Sequence, residues 1–293
     1  MRRLSLIVLV LSAPLIAGIN AFADVTLLHV GDKLGRAHLL KPGIHRYTRY
    51  TITPEGHRKA IDVWSREISY EVQDGRRVLH IHQQWDEISP VTVLIQDSFF
   101  EPDTLRPLTH IKRVMFDGKT IIGGYRFLPD KIVGMDELPD NSRKGFLQVS
   151  PEPTYNWETD MEFLQALPLA DGYSVNVDFY DPAQKPPARY VYSVTGSDKI
   201  AEPDGSTIDC WVVSHSFKAE DGSDGSSRYW FAKKTQVLIR EEVRTADGNV
   251  LVKTLLNPES GDVSAGSASV PEERRQSRAL RDSLSNKMNL GLG

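Results

Sequence analysis

Apolar and polar residues alternate with a period of two over most of this 293-residue chain. The alternation runs through Arg46 to Thr53, Ile61 to Val72, Arg77 to Trp85, Val91 to Phe99 and Leu108 to Phe116. It resumes through Tyr173 to Tyr180, Ala188 to Thr195, Thr207 to Phe217, Ser227 to Phe231, Gln236 to Arg244 and Asn249 to Leu256. Each run is rich in aromatic or β-branched residues, which suit a pleated surface buried on one side. Asp74-Gly75, Asp117-Gly118 and Asp247-Gly248 separate neighbouring runs, and Asp-Gly tolerates the positive φ angles of a tight hairpin turn. The pattern predicts a mainly β fold, a large antiparallel curved sheet arranged as a sandwich or an open half-barrel.

One segment breaks the period. Trp157, Met161, Leu164 and Leu167 recur at helical spacing, Asn156 is a suitable N-cap, and Glu158 and Asp160 place negative charge in the first turn. Pro168 removes Leu167 from helical geometry and ends the segment. A single central amphipathic helix in a β chain must cover something apolar, either an open face or mouth of the sheet or the ordinary core. Two strand pairs also resemble each other: Phe99 to Lys119 and Tyr229 to Asn249 each carry an aromatic strand end, a Thr, a Leu-containing second strand and an Asp-Gly turn. An internal duplication accounts for this likeness, as does convergence of β-meanders on the same turns.

The ends of the chain add a location. Arg2 and Arg3 precede the apolar run Leu4 to Gly18, and Ala21-Phe22-Ala23 forms a small-x-small site, so residues 1–23 read as a signal peptide and the mature chain is expected to start at Asp24, in the periplasm or secreted. Residues 24–257 read as a single antiparallel β domain, 258–270 as a flexible linker and 271–293 as a C-terminal helix or disordered tail. Cys210, the lone cysteine, stands in an alternating apolar run, which excludes both an N-terminal lipid and an intramolecular disulfide. Without Arg2 and Arg3, the 35 basic residues fall to 33 against 39 acidic ones. Such a chain has no basic stripe for nucleic acid, and no transmembrane segment is expected after cleavage.

The search for chemistry is mostly negative. His80-Ile81-His82 puts two imidazoles on one strand face, but no Cys, His or carboxylate stands at a spacing diagnostic of a third ligand, so no metal site is read. Asp221 to Gly225 lacks the ligand pattern of a calcium loop. No nucleophile elbow, phosphate loop or paired zinc motif occurs, which leaves no catalytic residue, no cofactor and no enzyme reading. The candidate ligand-binding residues are Trp64, Trp85, Tyr125, Phe127, Trp157, Met161, Leu164, Tyr192, Trp211 and Trp230. They would line a cavity between a curved sheet and the helix, where the competing explanation for each is hydrophobic core.

The runs Asp103-Thr104-Leu105-Arg106-Pro107-Leu108 through Asp117-Gly118, Leu167-Pro168-Leu169 with Gly172, and Tyr229-Trp230-Phe231 with Val237-Leu238 resemble an uncharacterised family of secreted bacterial proteins. That family is itself similar to the half-barrel of the lipoprotein-localisation carriers. The likeness covers about Lys41 to Leu256 and implies an open antiparallel barrel closed by helices around an apolar cavity. No functional residue carries over with it. The expected function is a periplasmic binding or carrier protein for an apolar ligand, lipid or lipidated protein. The alternative is a structural or protein-interaction module of the cell envelope, recruiting an envelope protein without a small-molecule ligand.

Overall fold

The computed structural model describes residues 25–88, 91–182, 186–202, 205–219 and 222–256, without the side chains of residues 87, 88, 91 and 92. The expected export segment 1–23, the linker 258–270, the tail 271–293 and part of the Asp221 loop lie outside the described residues.

After the short β1 (Thr26–Leu27), one antiparallel meander runs through β2 (Gly43–Ile52), β3 (Arg58–Gln73), β4 (Arg76–Ile88), β5 (Val91–Phe100), β6 (Pro107–Phe116), β7 (Lys119–Phe127), β8 (Lys131–Gly134) and β9 (Leu147–Val149). A two-residue strand, β10 (Tyr155–Asn156), precedes the helix α1 (Asp160–Gln165). A second meander follows: β11 (Ser174–Tyr180), β12 (Ala188–Ala201), β13 (Thr207–Lys218), β14 (Asp224–Ala232), β15 (Leu238–Arg244) and β16 (Val250–Leu256). Pairing of β16 with β2 joins the meanders into one sheet, while β1 and β10 add in parallel to the outer edge of β11. The path ends at β1 and at β9, so the sheet is one large curved surface that does not close. This decides between the two architectures left open by the sequence, in favour of the open one.

The two meanders are structural repeats. Gly43 to Ser174, Arg76 to Thr207, Pro107 to Leu238 and Lys119 to Val250 are the first residues of β2 and β11, β4 and β13, β6 and β15, and β7 and β16, each pair a step of 131 residues apart. The connections agree in detail. Leu105 and Gln236 both adopt left-handed backbone, with φ of 51° and 53°. Each donates its N–H to the carbonyl four residues earlier, Leu105 to Glu101 at 3.0 Å and Gln236 to Ala232 at 2.7 Å. The following N–H is taken by a threonine Oγ1, from Arg106 to Thr104 at 3.1 Å and from Val237 to Thr235 at 3.3 Å. Even the register shift recurs, between Phe99 and Phe100 and between Trp230 and Phe231. Two of the three Asp-Gly turns have both φ angles positive, Asp74 and Gly75 at 49° and 74° and Asp117 and Gly118 at 50° and 68°, whereas at Asp247-Gly248 only the glycine does, at 82°, within a longer loop closed by Gly248 N–H on the Thr245 carbonyl.

The core lies on the concave side, with the helix inside it. Asn156 caps the segment as expected, its side chain accepting from the Glu158 N–H at 3.1 Å. The turn Trp157–Thr159 is 3-10, so α1 itself spans six residues, of which Met161 to Gln165 are buried. The Ala166 and Leu167 N–H groups close its last turn onto the Glu162, Phe163 and Leu164 carbonyls, and the fully buried Gln236 donates through Nε2 to the Gln165 carbonyl at 2.8 Å and, just beyond the helix, to that of Leu167 at 2.7 Å. The helix is therefore a plug in the core and not a lid over a mouth. Phe163 shows why, packing on Tyr155 at 4.5 Å and Phe179 at 5.2 Å between ring centroids.

Candidate functional site

A half-open cavity of about 620 Å³ lies between the Trp157 turn and the concave face of the sheet. Its apolar wall is aromatic: Trp157 stacks on Tyr190 at 4.7 Å, and Tyr190 meets His215 at 5.2 Å. Across from it, Trp64 and Trp85 pack edge to face at 5.1 Å. Cations cover both indoles, with Arg66 Cζ 4.5 Å and Lys253 Nζ 4.0 Å from the Trp64 ring and Arg49 Cζ 4.1 Å from that of Trp85. A positive charge over an aromatic face is attracted by the ring quadrupole.

These cations are themselves paired. Arg66 forms a bidentate ion pair with Glu162 of α1, Lys253 pairs with Glu241, and Arg49 pairs with Asp62 at 2.7 Å. Cross-strand register builds the supporting floor: Arg66, Gln83, Gln96 and Lys112 stand opposite one another on β3, β4, β5 and β6. All four reach toward Glu158 or its helix. Gln83 Nε2 donates to Glu158 O at 2.8 Å, while Gln96 Nε2 and Lys112 Nζ donate to its carboxylate at 3.2 and 3.1 Å. Burial opposes charge on Glu158, and the Lys112 ammonium, His110 and the Gln96 hydrogen bond together outweigh it, holding the carboxyl below the usual range.

Asp160 behaves in the opposite sense. Burial, reinforced by the nearby Glu241 carboxylate, pushes it up to about 7. Between about pH 4 and 7 the folded chain keeps a proton there that the unfolded chain releases, so stability falls as pH rises through that window and is unaffected above it. Chemical denaturation at several pH values is expected to show this decline in the parent relative to Asp160→Asn; parallel pH profiles would refute the assignment.

Three buried ring nitrogens at the cavity have no hydrogen-bond partner among the described residues: Nε1 of Trp64, Nε1 of Trp85 and Nε2 of His215. Burial lowers the pKa of His215, and its Nδ1 lies 3.1 Å from the Val191 carbonyl. A carbonyl can only accept, so Nδ1 carries the proton and Nε2 is an acceptor. These nitrogens are closed off from solvent, so the polar groups around the cavity are charged side chains, Arg66, Glu158, Asp160, Glu241 and Lys253, beside an aromatic wall.

Of the ten candidate ligand residues, Trp64, Trp85 and Trp157 line this cavity. Met161, Leu164 and Tyr192 are core residues at 3%, 0% and 1% exposure, where a ligand cannot reach them without displacing the plug. Tyr125 and Phe127 belong to a separate cluster with Ile132 and Tyr180. Trp230 is buried and donates to Asp198 at 3.0 Å, and Trp211 carries Lys233 over its ring at 4.2 Å. The lining also departs from the apolar interior implied by the resemblance, since Arg66, Glu158, Asp160, Glu241 and Lys253 are part of it. Sequence reasoning passed over these charged residues because alternation marks a face without saying what stands beside it. Cys210 is fully buried, and burial pushes its thiol up to about 12, which leaves it inert.

A second cluster forms around the histidine pair. Asp97 of β5, a carboxylate that no spacing signalled, stands directly opposite His82 in register. Its Oδ1 is 3.0 Å from His80 Nε2 and 2.8 Å from His82 Nδ1, and the three side chains form a group with the geometry to hold a metal ion.

Residues 49–253 match the family described as protein of unknown function (DUF3108). No curated protein matches the sequence. Among solved structures the chain is similar to a β-barrel-like protein of domain of unknown function DUF1849 from Brucella abortus, at 12% identity over 74% of this chain and 96% of that one, with a TM-score of 0.45. A DUF3598 protein of unknown function from Nostoc punctiforme aligns at 8% identity over 77% of this chain and all of that one, with a TM-score of 0.17.

Proposed function

We propose that this chain, which belongs to the DUF3108 family, is an exported binding protein for an amphipathic small molecule, working in the periplasm or outside the cell. The observation that carries the reading is the cavity, whose volume of about 620 Å³ falls within the roughly 300–1,000 Å³ of small-molecule sites. The Trp157–Tyr190 wall suits the apolar body of a ligand, and the charged lining residues Arg66, Asp160 and Lys253 suit its polar end. Lipids and their fragments have this character. Export is drawn from residues 1–23, and the proposal is for binding without catalysis. Among the described residues no helix is long and apolar enough to cross a membrane.

A dansyl-labelled fatty acid titrated into the purified chain is the direct test. Saturable fluorescence enhancement, displaced by lysophospholipid, is the expected result. Val243→Trp, which fills the cavity from β15, is expected to weaken binding at least tenfold with an unchanged circular dichroism spectrum. Absence of saturable binding, or binding indifferent to Val243→Trp, would sink the proposal.

The interaction-module alternative draws on a different observation. The terminal strand β9 presents Leu147 and Val149 at 60% and 61% exposure beside an edge that no strand among the described residues pairs with, a surface on which a partner strand can add. Leu147→Lys is then expected to abolish partner capture and leave probe binding intact.

A further inference from the structure

Alternation puts His80, His82 and Asp97 on the face of the sheet opposite Arg66 and Gln83, away from the cavity. His80 is 3% exposed, its ring stacked on Phe99 at 4.4 Å, and its Nδ1 lies 2.8 Å from Glu71 Oε1. A carboxylate fixes the proton of that imidazole on Nδ1. The other nitrogen, Nε2, faces Asp97 Oδ1 at 3.0 Å, a distance at which the pair shares a cation. A proton fills that role in the imidazolium that the carboxylates on both sides favour, and a metal ion competes with that proton for the same lone pair. His82 Nδ1 converges on the same oxygen from the other side, at 2.8 Å.

We propose that His80 Nε2, His82 Nδ1 and Asp97 Oδ1 form a binding site for a divalent transition metal ion, with zinc as the best match to two imidazoles and one carboxylate. A tetrahedral zinc ion holds such donors about 3.4 Å apart, so the two nitrogen–oxygen distances, 3.0 and 2.8 Å, need open by only about half an ångström. The outer contacts are those that tune metal sites: Glu71 orients His80, and Arg113 Nη1 holds the second oxygen of Asp97 at 2.7 Å. Glu67 stands opposite His82 on the same face, so three carboxylates outweigh one guanidinium and favour a cation. His82 and Asp97 have side-chain exposures of 19% and 18%, which gives an ion a path in and leaves a fourth position to solvent.

Isothermal titration of zinc chloride into the full chain, stripped with chelator and prepared without a histidine tag, tests the site. One zinc per chain is expected. Glu71→Gln should weaken it about 10–100-fold and His82→Ala by more, the latter folding normally because His82 is half-buried. Magnesium should not compete, because nitrogen donors suit it poorly. The proposal is overturned if zinc uptake is unsaturable, or if uptake persists unchanged in His82→Ala with a native circular dichroism spectrum; in either case the cation between the donors is a proton and the cluster is an ion-pair network tying β3 to β6.

Discussion

Replacing Arg66 with alanine is expected to destabilise the fold by about 3–5 kcal/mol, the usual consequence of leaving a buried charge without its partner. Arg66 and Glu162 are 2% and 5% exposed at their side chains. The guanidinium also donates to Gln83 Oε1 at 3.1 Å and to Glu158 O at 3.2 Å, and lies over Trp64. Removing it leaves the Glu162 carboxylate inside the sheet with no cation. Replacing both members, as Arg66→Met with Glu162→Leu, is expected to recover most of the loss, because two apolar side chains escape the desolvation that the ion pair must overcome. Urea denaturation of the two single variants and the double variant measures this. If the double variant is no more stable than Arg66→Ala, the pair is not acting as a unit.

The second large effect is expected at the plug. Phe163 is 1% exposed and touches Tyr155 and Phe179; Phe163→Ala should destabilise by about 3–5 kcal/mol through lost burial and the cavity left behind. The surrounding rings belong to β10 and β11, so they cannot close over the gap without moving strands. A lid on the mouth of the sheet would behave differently, with a loss near or below about 1 kcal/mol at a solvent-facing position. Thermal and urea unfolding distinguish the two, and a small loss would contradict the placement of α1 in the core.

The placement of the helix changes what its residues can report. Met161 and Leu164 read as cavity lining when the helix is imagined above an open mouth. Inside the concave face they pack with Phe231, Val212 and their neighbours in one core, and charge introduced at either site acts on folding before it acts on any ligand. Trp157, one turn earlier, keeps one side on Phe179 at 5.5 Å and the other on the cavity, which is why it is the member of the segment with access to a ligand.

Local chemistry determined a good deal of this molecule. Because a half-buried strand must place its apolar residues on one side, period-two alternation identifies β2–β6 and β11–β16, eleven of the longer strands; it misses β7. The Asp-Gly turns followed from the φ angles that Asp and Gly tolerate, and the helix start and stop from Asn156 and Pro168. The likeness between Phe99 to Lys119 and Tyr229 to Asn249 is visible as a pattern of letters, and the structure extends it to strands β2–β7 and β11–β16, with four of the six strand pairs starting 131 residues apart. Only the tertiary structure decided which residues became neighbours. Alternation assigns a side chain to a face, whereas its contacts depend on cross-strand register, which is set by turns and bulges far along the chain. That register carried Arg66, Gln83, Gln96 and Lys112 under Glu158, brought Lys253 over Trp64, and placed Asp97 against a histidine pair for which no third ligand was legible in the sequence.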